Sequence, residues 1–106
     1  MKVKLNVVER LLSLEILPKE GNFATLKVIR TLRESLSFSE EELKKYEIVM
    51  SDDGRVKWNA QAGSEEVEKE FADFAFDLVK GKLKKMNDEN KLEDKHFTLY
   101  EKFVGG

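Results

Sequence analysis

Glu47-Ile48-Val49-Met50-Ser51-Asp52-Asp53-Gly54-Arg55-Val56-Lys57-Trp58 is the stretch that separates an α+β fold from an all-helical one. Ile48 and Met50 alternate with Glu47, Val49 and Ser51, and Val56 and Trp58 alternate with Arg55 and Lys57, which is the period of β-strands flanking a turn. Register selects the turn. A two-residue loop, Asp53-Gly54, would set Met50 opposite Lys57 and scatter the apolar side chains over both faces. A three-residue loop, Asp52-Asp53-Gly54, sets Met50 opposite Val56 and Ile48 opposite Trp58 and gathers all four on one face. Gly54 then supplies the left-handed residue that such a loop requires. The expectation is a three-residue hairpin.

Upstream of the hairpin the pattern is helical. Residues 6–17 read as a first helix capped by Asn6, with Val7, Val8, Leu11, Leu12 and Leu14 gathered on one face and Pro18 stopping it sharply. After the turn Lys19-Glu20-Gly21, Asn22 caps a second helix that runs to about Leu36. Its buried stripe is Thr25, Val28, Ile29, Leu32 and Leu36. Ser39-Glu40-Glu41-Glu42 is a capping box that opens a short third helix ending near Tyr46. Its three acids sit at the positive end of the helix dipole and Lys44 and Lys45 toward the negative end.

Downstream, residues 60–63 read as a linker. From Ser64 two readings stay open: one long helix capped by Ser64, or a third strand over Val67 to Phe71 with the helix starting near Asp73. The helix is firm from Phe74 to about Met86, where Phe74, Phe76 and Leu83 suggest a broad apolar face with room for a dimer. Asn87 to Asn90 is a turn, and a last helix spans about Glu93 to Phe103. The whole is expected to be one mostly helical α+β domain, residues 1–106, with residues 104–106 as a frayed tail. The hairpin has two strands or three, and the order of elements is close to a winged helix.

The chain of 106 residues has 41% hydrophobic residues, 38% charged residues and no cysteine. That is enough apolar material for one core and too much for a disordered chain. Disulfides and thiolate metal sites are ruled out by inventory. No leader is expected, because Leu5 to Leu17 is broken by Asn6, Glu9, Arg10 and Glu15, and nothing approaches the length of a membrane span. A formal net charge of −2 gives no overall attraction to nucleic acid or anionic lipid. The expected location is the cytoplasm.

The search for catalytic chemistry finds no assembled set. His96 is the only histidine, with no nucleophile motif to serve, and is expected as a surface or boundary residue near the start of the last helix. One histidine cannot build a zinc site. Ser51-Asp52-Asp53-Gly54 and Asn87-Asp88-Glu89-Asn90 lack the alternation of a calcium loop. Lys80-Gly81-Lys82 lies inside a helix and lacks the rest of a phosphate loop. The sequence therefore implies a non-enzymatic protein with no cofactor and no metal. Nucleic-acid reading through the third helix is disfavoured, because Glu40, Glu41 and Glu42 carry the wrong sign toward phosphate, and Arg55 and Lys57 are few. Lys27, Arg30 and Arg33, with only Glu34 among them, form a basic stripe on the second helix, which either pairs with acids of neighbouring helices or meets a partner. The Lys80, Lys82, Lys84 and Lys85 cluster is explained by a helix C-terminus. The interaction surface we expect comprises Lys27, Arg30 and Arg33 together with the hairpin tip Asp52, Asp53 and Arg55.

Glu9-Arg10-Leu11-Leu12, the run Ile16-Leu17-Pro18-Lys19-Glu20-Gly21, then Phe23, Thr25-Leu26-Lys27, Ile29-Arg30, Leu32-Arg33-Glu34 and Leu36 to Glu42, with the ending Leu99 to Val104, resemble a group of small proteins of tailed phages and prophages. The likeness covers most of the chain, more weakly over residues 59–75. These proteins carry no assigned activity, so no functional residues are carried over. The resemblance implies a phage accessory protein in the cytoplasm of a bacterial host, acting by binding a host or phage protein, including anti-defence inhibition. A winged-helix-like nucleic-acid binder and a small, homo-oligomeric virion component are the alternatives.

Overall fold

A computed structural model describes residues 1–105; Gly106, part of the expected tail, lies outside the described residues. In chain order the elements are β1 (Lys2–Leu5), α1 (Val7–Ile16), α2 (Phe23–Leu36), α3 (Glu40–Lys45), β2 (Val49–Met50), β3 (Val56–Lys57), β4 (Val67–Glu70), α4 (Asp73–Asp88) and α5 (Phe97–Phe103). Short 3₁₀ turns at Ala62–Ser64 and Asp94–His96 lead into β4 and α5. The fold is α+β.

The hairpin has the register read from the sequence. Val49 faces Lys57, Met50 faces Val56, and Gly54 is left-handed at φ +82°. Its apolar face is only half covered, however: Met50 is 73% exposed, while Ile48, Val56 and Trp58 are half-buried. The third strand exists but does not extend the hairpin. β4 pairs antiparallel with β1, from Lys2 opposite Glu70 to Leu5 opposite Val67, so the domain contains two separate two-stranded ladders. This pairing resolves the ambiguity at Val67 in favour of a strand, with α4 starting at Asp73. β1 itself was not anticipated. Val3 and Leu5 point inward and Lys2 and Lys4 outward, a period of two too short to stand out before a helix.

Helix caps follow the sequence closely. Asn6 Oδ1 accepts from the Glu9 N–H at 2.9 Å and Glu9 returns the contact to the Asn6 N–H, a reciprocal box. Asn22 accepts from the Thr25 N–H, and Ser39 and Glu42 complete the second box. Helix α1 departs from its expected single apolar face. It packs against α2, α4, α5 and β1, so it is enclosed nearly all round, and Glu9, Arg10 and Ser13 are buried with Val7, Leu12 and Ile16.

The core gathers Leu5, Leu12, Ile29, Leu32, Leu36, Phe71, Phe76, Val79, Leu83, Leu99 and Phe103 around that central helix. Phe71 meets Phe103 edge to face at 5.3 Å between ring centroids, and Phe76 lies tilted against it at 5.1 Å. This corrects the apolar dimer face proposed on α4: Phe76 and Leu83 are core residues, and only Phe74 faces out. His96 is likewise buried rather than at the surface. Its Nδ1 accepts from the Glu93 N–H at 3.0 Å and closes the turn that starts α5. At the chain end, Val104 and Gly105 both donate backbone hydrogen bonds to the Tyr100 carbonyl.

Candidate partner-binding surface

The three basic residues of α2 stand in solvent. Lys27, Arg30 and Arg33 are exposed, and none of them joins an ion pair among the described residues. The reading in which neighbouring acids neutralise them therefore fails. The helix leaves them there for a geometric reason. Ile29, Leu32 and Leu36 turn to the core, so positions 23, 26, 27, 30 and 33, spaced i, i+3, i+4, i+7 and i+10, share the outer face.

Two apolar residues ride on that same face. Phe23 is 74% exposed and Leu26 is also exposed, and Lys27 Nζ lies 5.1 Å from the centre of the Phe23 ring. Between α2 and the α1–α2 turn they border an open hollow of about 450 Å³, floored by Ile29 and Pro18 and rimmed by Lys19, Lys27, Arg30 and Arg33. Its lining holds four cations and no acid, in a chain of 19 basic and 21 acidic residues. Phe23, Leu26 and Lys19 complete the surface and were missing from the sequence reading. Their signal was available: both apolar residues fall outside the buried stripe of an otherwise well-patterned helix.

The hairpin tip belongs elsewhere. Asp53 accepts from the Ser51 hydroxyl and from the Arg55 N–H, which hold its carboxyl below the usual carboxylate range. The Arg55 guanidinium lies 3.5 Å from Asp53, and Asp52 is exposed in the turn. These contacts build the turn, and no residue of the tip lines the α2 hollow. The structure thus places the two expected halves of the surface apart. Trp58 and Val56 instead line a hollow against Val8, Leu11 and Glu15 of α1.

One acid of α3, Glu42, also has structural work. Arg10 of α1 is buried, and its Nη1 donates to Glu42 Oε2 at 2.5 Å. That hydrogen bond is the main reason the Glu42 carboxyl is lowered to about 2, against a smaller opposing effect of burial. A buried acid, Glu9, accepts from Lys102 at 2.7 Å, and Lys102 also pairs with Glu66. Burial alone would lower the Lys102 ammonium, but the Glu66 and Glu9 carboxylates outweigh it and raise it. Glu9 Oε2 is left buried without a partner among the described residues. That network ties α1 and β1 to α5 through the Lys4 carbonyl.

Among the described residues no group of three or more His, Cys, Asp or Glu side chains is gathered as a metal ion would need. No helix among them is long and apolar enough to cross a membrane. No family model, curated protein or solved structure matches the chain.

Proposed function

We propose that this protein acts by binding rather than by catalysis, and that it docks an acidic, partly apolar segment of a partner protein on the outer face of α2. One observation carries the reading: the hollow beside α2 joins four unpaired cations to the exposed Phe23 and Leu26. Desolvated apolar anchors supply affinity, while a single-sign rim supplies steering and register. Phosphate alone would use the cations but leave Phe23 and Leu26 without a role, so a protein segment fits better than nucleic acid. The resemblance to phage proteins suggests that the partner belongs to a bacterial host.

The test is a fluorescence-anisotropy titration with a labelled acidic peptide bearing interspersed Leu and Phe, run beside a polyglutamate control and a DNA duplex. Binding of the apolar acidic peptide should weaken at least about tenfold in Arg30→Glu/Arg33→Glu and in Phe23→Ala, and polyglutamate should bind less well. Equal binding by the variants would remove α2 as the surface. Tighter binding of the duplex through the same arginines, falling steeply with salt, would replace this reading with a nucleic-acid one.

A further inference from the structure

A second hollow has the opposite character. Between the end of α4 and α5, about 430 Å³ is lined by Leu92, Phe97 and Tyr100 together with Glu93, Asp94 and Glu101. Its lining includes three acids and no lysine or arginine, and Phe97 stands 68% exposed beside it. The α2 hollow is its counterpart in size and its inverse in charge, with Phe23 exposed at the edge. Such segregation does not follow from a chain whose overall charge is nearly balanced. The two hollows share no residue. α2 and α5 each pack on α1 and α4, and the two hollows open beside different helices of the domain.

We infer that the chain associates with a second copy of itself head to tail, the basic α2 face of one molecule seating on the acidic α4–α5 hollow of the next. This rests on the reading of α2 as a docking face for acidic, apolar surface, and it names a source of that surface. The contact joins two different patches, so it is heterologous and extends beyond a pair unless the rotation closes a ring. Each hollow is smaller than a stable interface, and both rims are charged. The association is therefore weak, grows with concentration and is favoured at low salt.

Sedimentation velocity on the intact protein tests this, from about 10 to about 500 µM, at about 0.05 M and about 0.5 M salt. The wild-type chain should show a mass that rises with concentration at low salt and collapses toward monomer at high salt. Arg30→Glu/Arg33→Glu should remain monomeric, and so should Asp94→Arg/Glu101→Arg. Mixing those two variants should restore association, because each reversed face then meets one of opposite sign. A chain carrying all four reversals should self-associate again. If that chain fails to fold, the mixture of the two folded variants still decides the matter. A wild-type protein that stays monomeric throughout overturns the inference, as does a dimer that ignores both sets of reversals or a mixture that stays monomeric. If the acidic peptide binds α2 while the protein is monomeric, the docking face stands and only the second copy is excluded. Absence of both peptide binding and self-association removes the two readings together.

Discussion

Arg10 Nη1 lies 2.5 Å from Glu42 Oε2, and this pair fastens the central helix α1 to the start of α3. The guanidinium is 1% exposed; Nε donates to the Leu36 carbonyl, and Nη2 donates to the Ser37 carbonyl and to Glu42 Oε1. Its face lies 4.0 Å from the centre of the Phe38 ring. Glu42 meanwhile accepts from the Ser39 N–H with its other oxygen, so one carboxylate caps α3 and neutralises α1. Of the three acids that open α3, Glu42 is therefore explained by packing, while Glu40 and Glu41 stand exposed.

Removing one member of this pair should be far more damaging than a surface charge deletion. Arg10→Met keeps most of the side-chain volume but strands Glu42, the buried Leu36 carbonyl and the part-buried Ser37 carbonyl. The expected loss is about 3 kcal/mol, the low end for breaking a buried ion pair from one side, because Glu42 keeps partial contact with water. Urea denaturation followed by far-UV circular dichroism measures it. A loss under about 1 kcal/mol would mean that water replaces the guanidinium freely.

Glu42 also gives stability a defined pH dependence. Its carboxyl falls from an ordinary 4.5 to about 2 in the folded protein, because the Arg10 hydrogen bond and the Ser39 N–H favour the charged form. A depressed carboxyl contributes stability that is fully present above the unfolded value and is lost as pH falls through the folded one. Wild-type stability should therefore decline between pH 4.5 and about 2. Glu42→Gln should be less stable at neutral pH and show a shallower decline across that window.

Much of this architecture was legible, and the misses share a cause. Caps and turns are local, so Asn6, Asn22, Ser39 and Gly54 could be read from their neighbours alone. The partnership of β1 with β4 joins residues some 65 positions apart, and four alternating residues carry too little periodicity to announce it. Helix α1 misled for the reverse reason. Its charged residues suggested a solvent face, but in a helix enclosed on most sides Glu9 and Arg10 reach partners on α5 and α3. The basic half of the candidate surface was readable from spacing on α2. The hairpin half was not, since charge at a turn cannot distinguish a docking site from the hydrogen bonds that make the turn.

Leu5 tests the strand that the pattern concealed. It is 0% exposed and belongs to the main core, opposite Val67 in the ladder. Leu5→Ala should lose about 2–5 kcal/mol, the range for truncating a fully buried leucine. Thermal and urea unfolding would show it, and amide exchange should quicken in Val67–Glu70 as well as in β1. Protection of β4 unchanged by this substitution would argue against the pairing.

Two glycines make a matched pair. A Cβ at Gly63 would lie 2.6 Å from Trp58 Cδ1 and 3.2 Å from Val7 Cγ2, whereas one at Gly81, within α4, would meet nothing within 4 Å. Gly63→Ala should cost about 1–3 kcal/mol through overpacking and shift the emission of Trp58, the only tryptophan. Gly81→Ala should stabilise by about 0.5–1 kcal/mol, because alanine loses less backbone freedom in a helix.

The reversal Arg30→Glu/Arg33→Glu should separate binding from folding. Neither side chain makes a hydrogen bond or ion pair among the described residues, and both lie on the outer face of α2. The one local penalty is at Arg33, in the last turn, where a negative charge opposes the helix dipole at about 0.3–1 kcal/mol. Arg30 sits mid-helix and should contribute less, within the ±0.5 kcal/mol usual for surface changes. The double variant should therefore unfold within about 1 kcal/mol of the wild type while losing the acidic-peptide binding proposed for α2. A loss above about 2 kcal/mol would show that these arginines support the fold, and their exposure would then need another explanation.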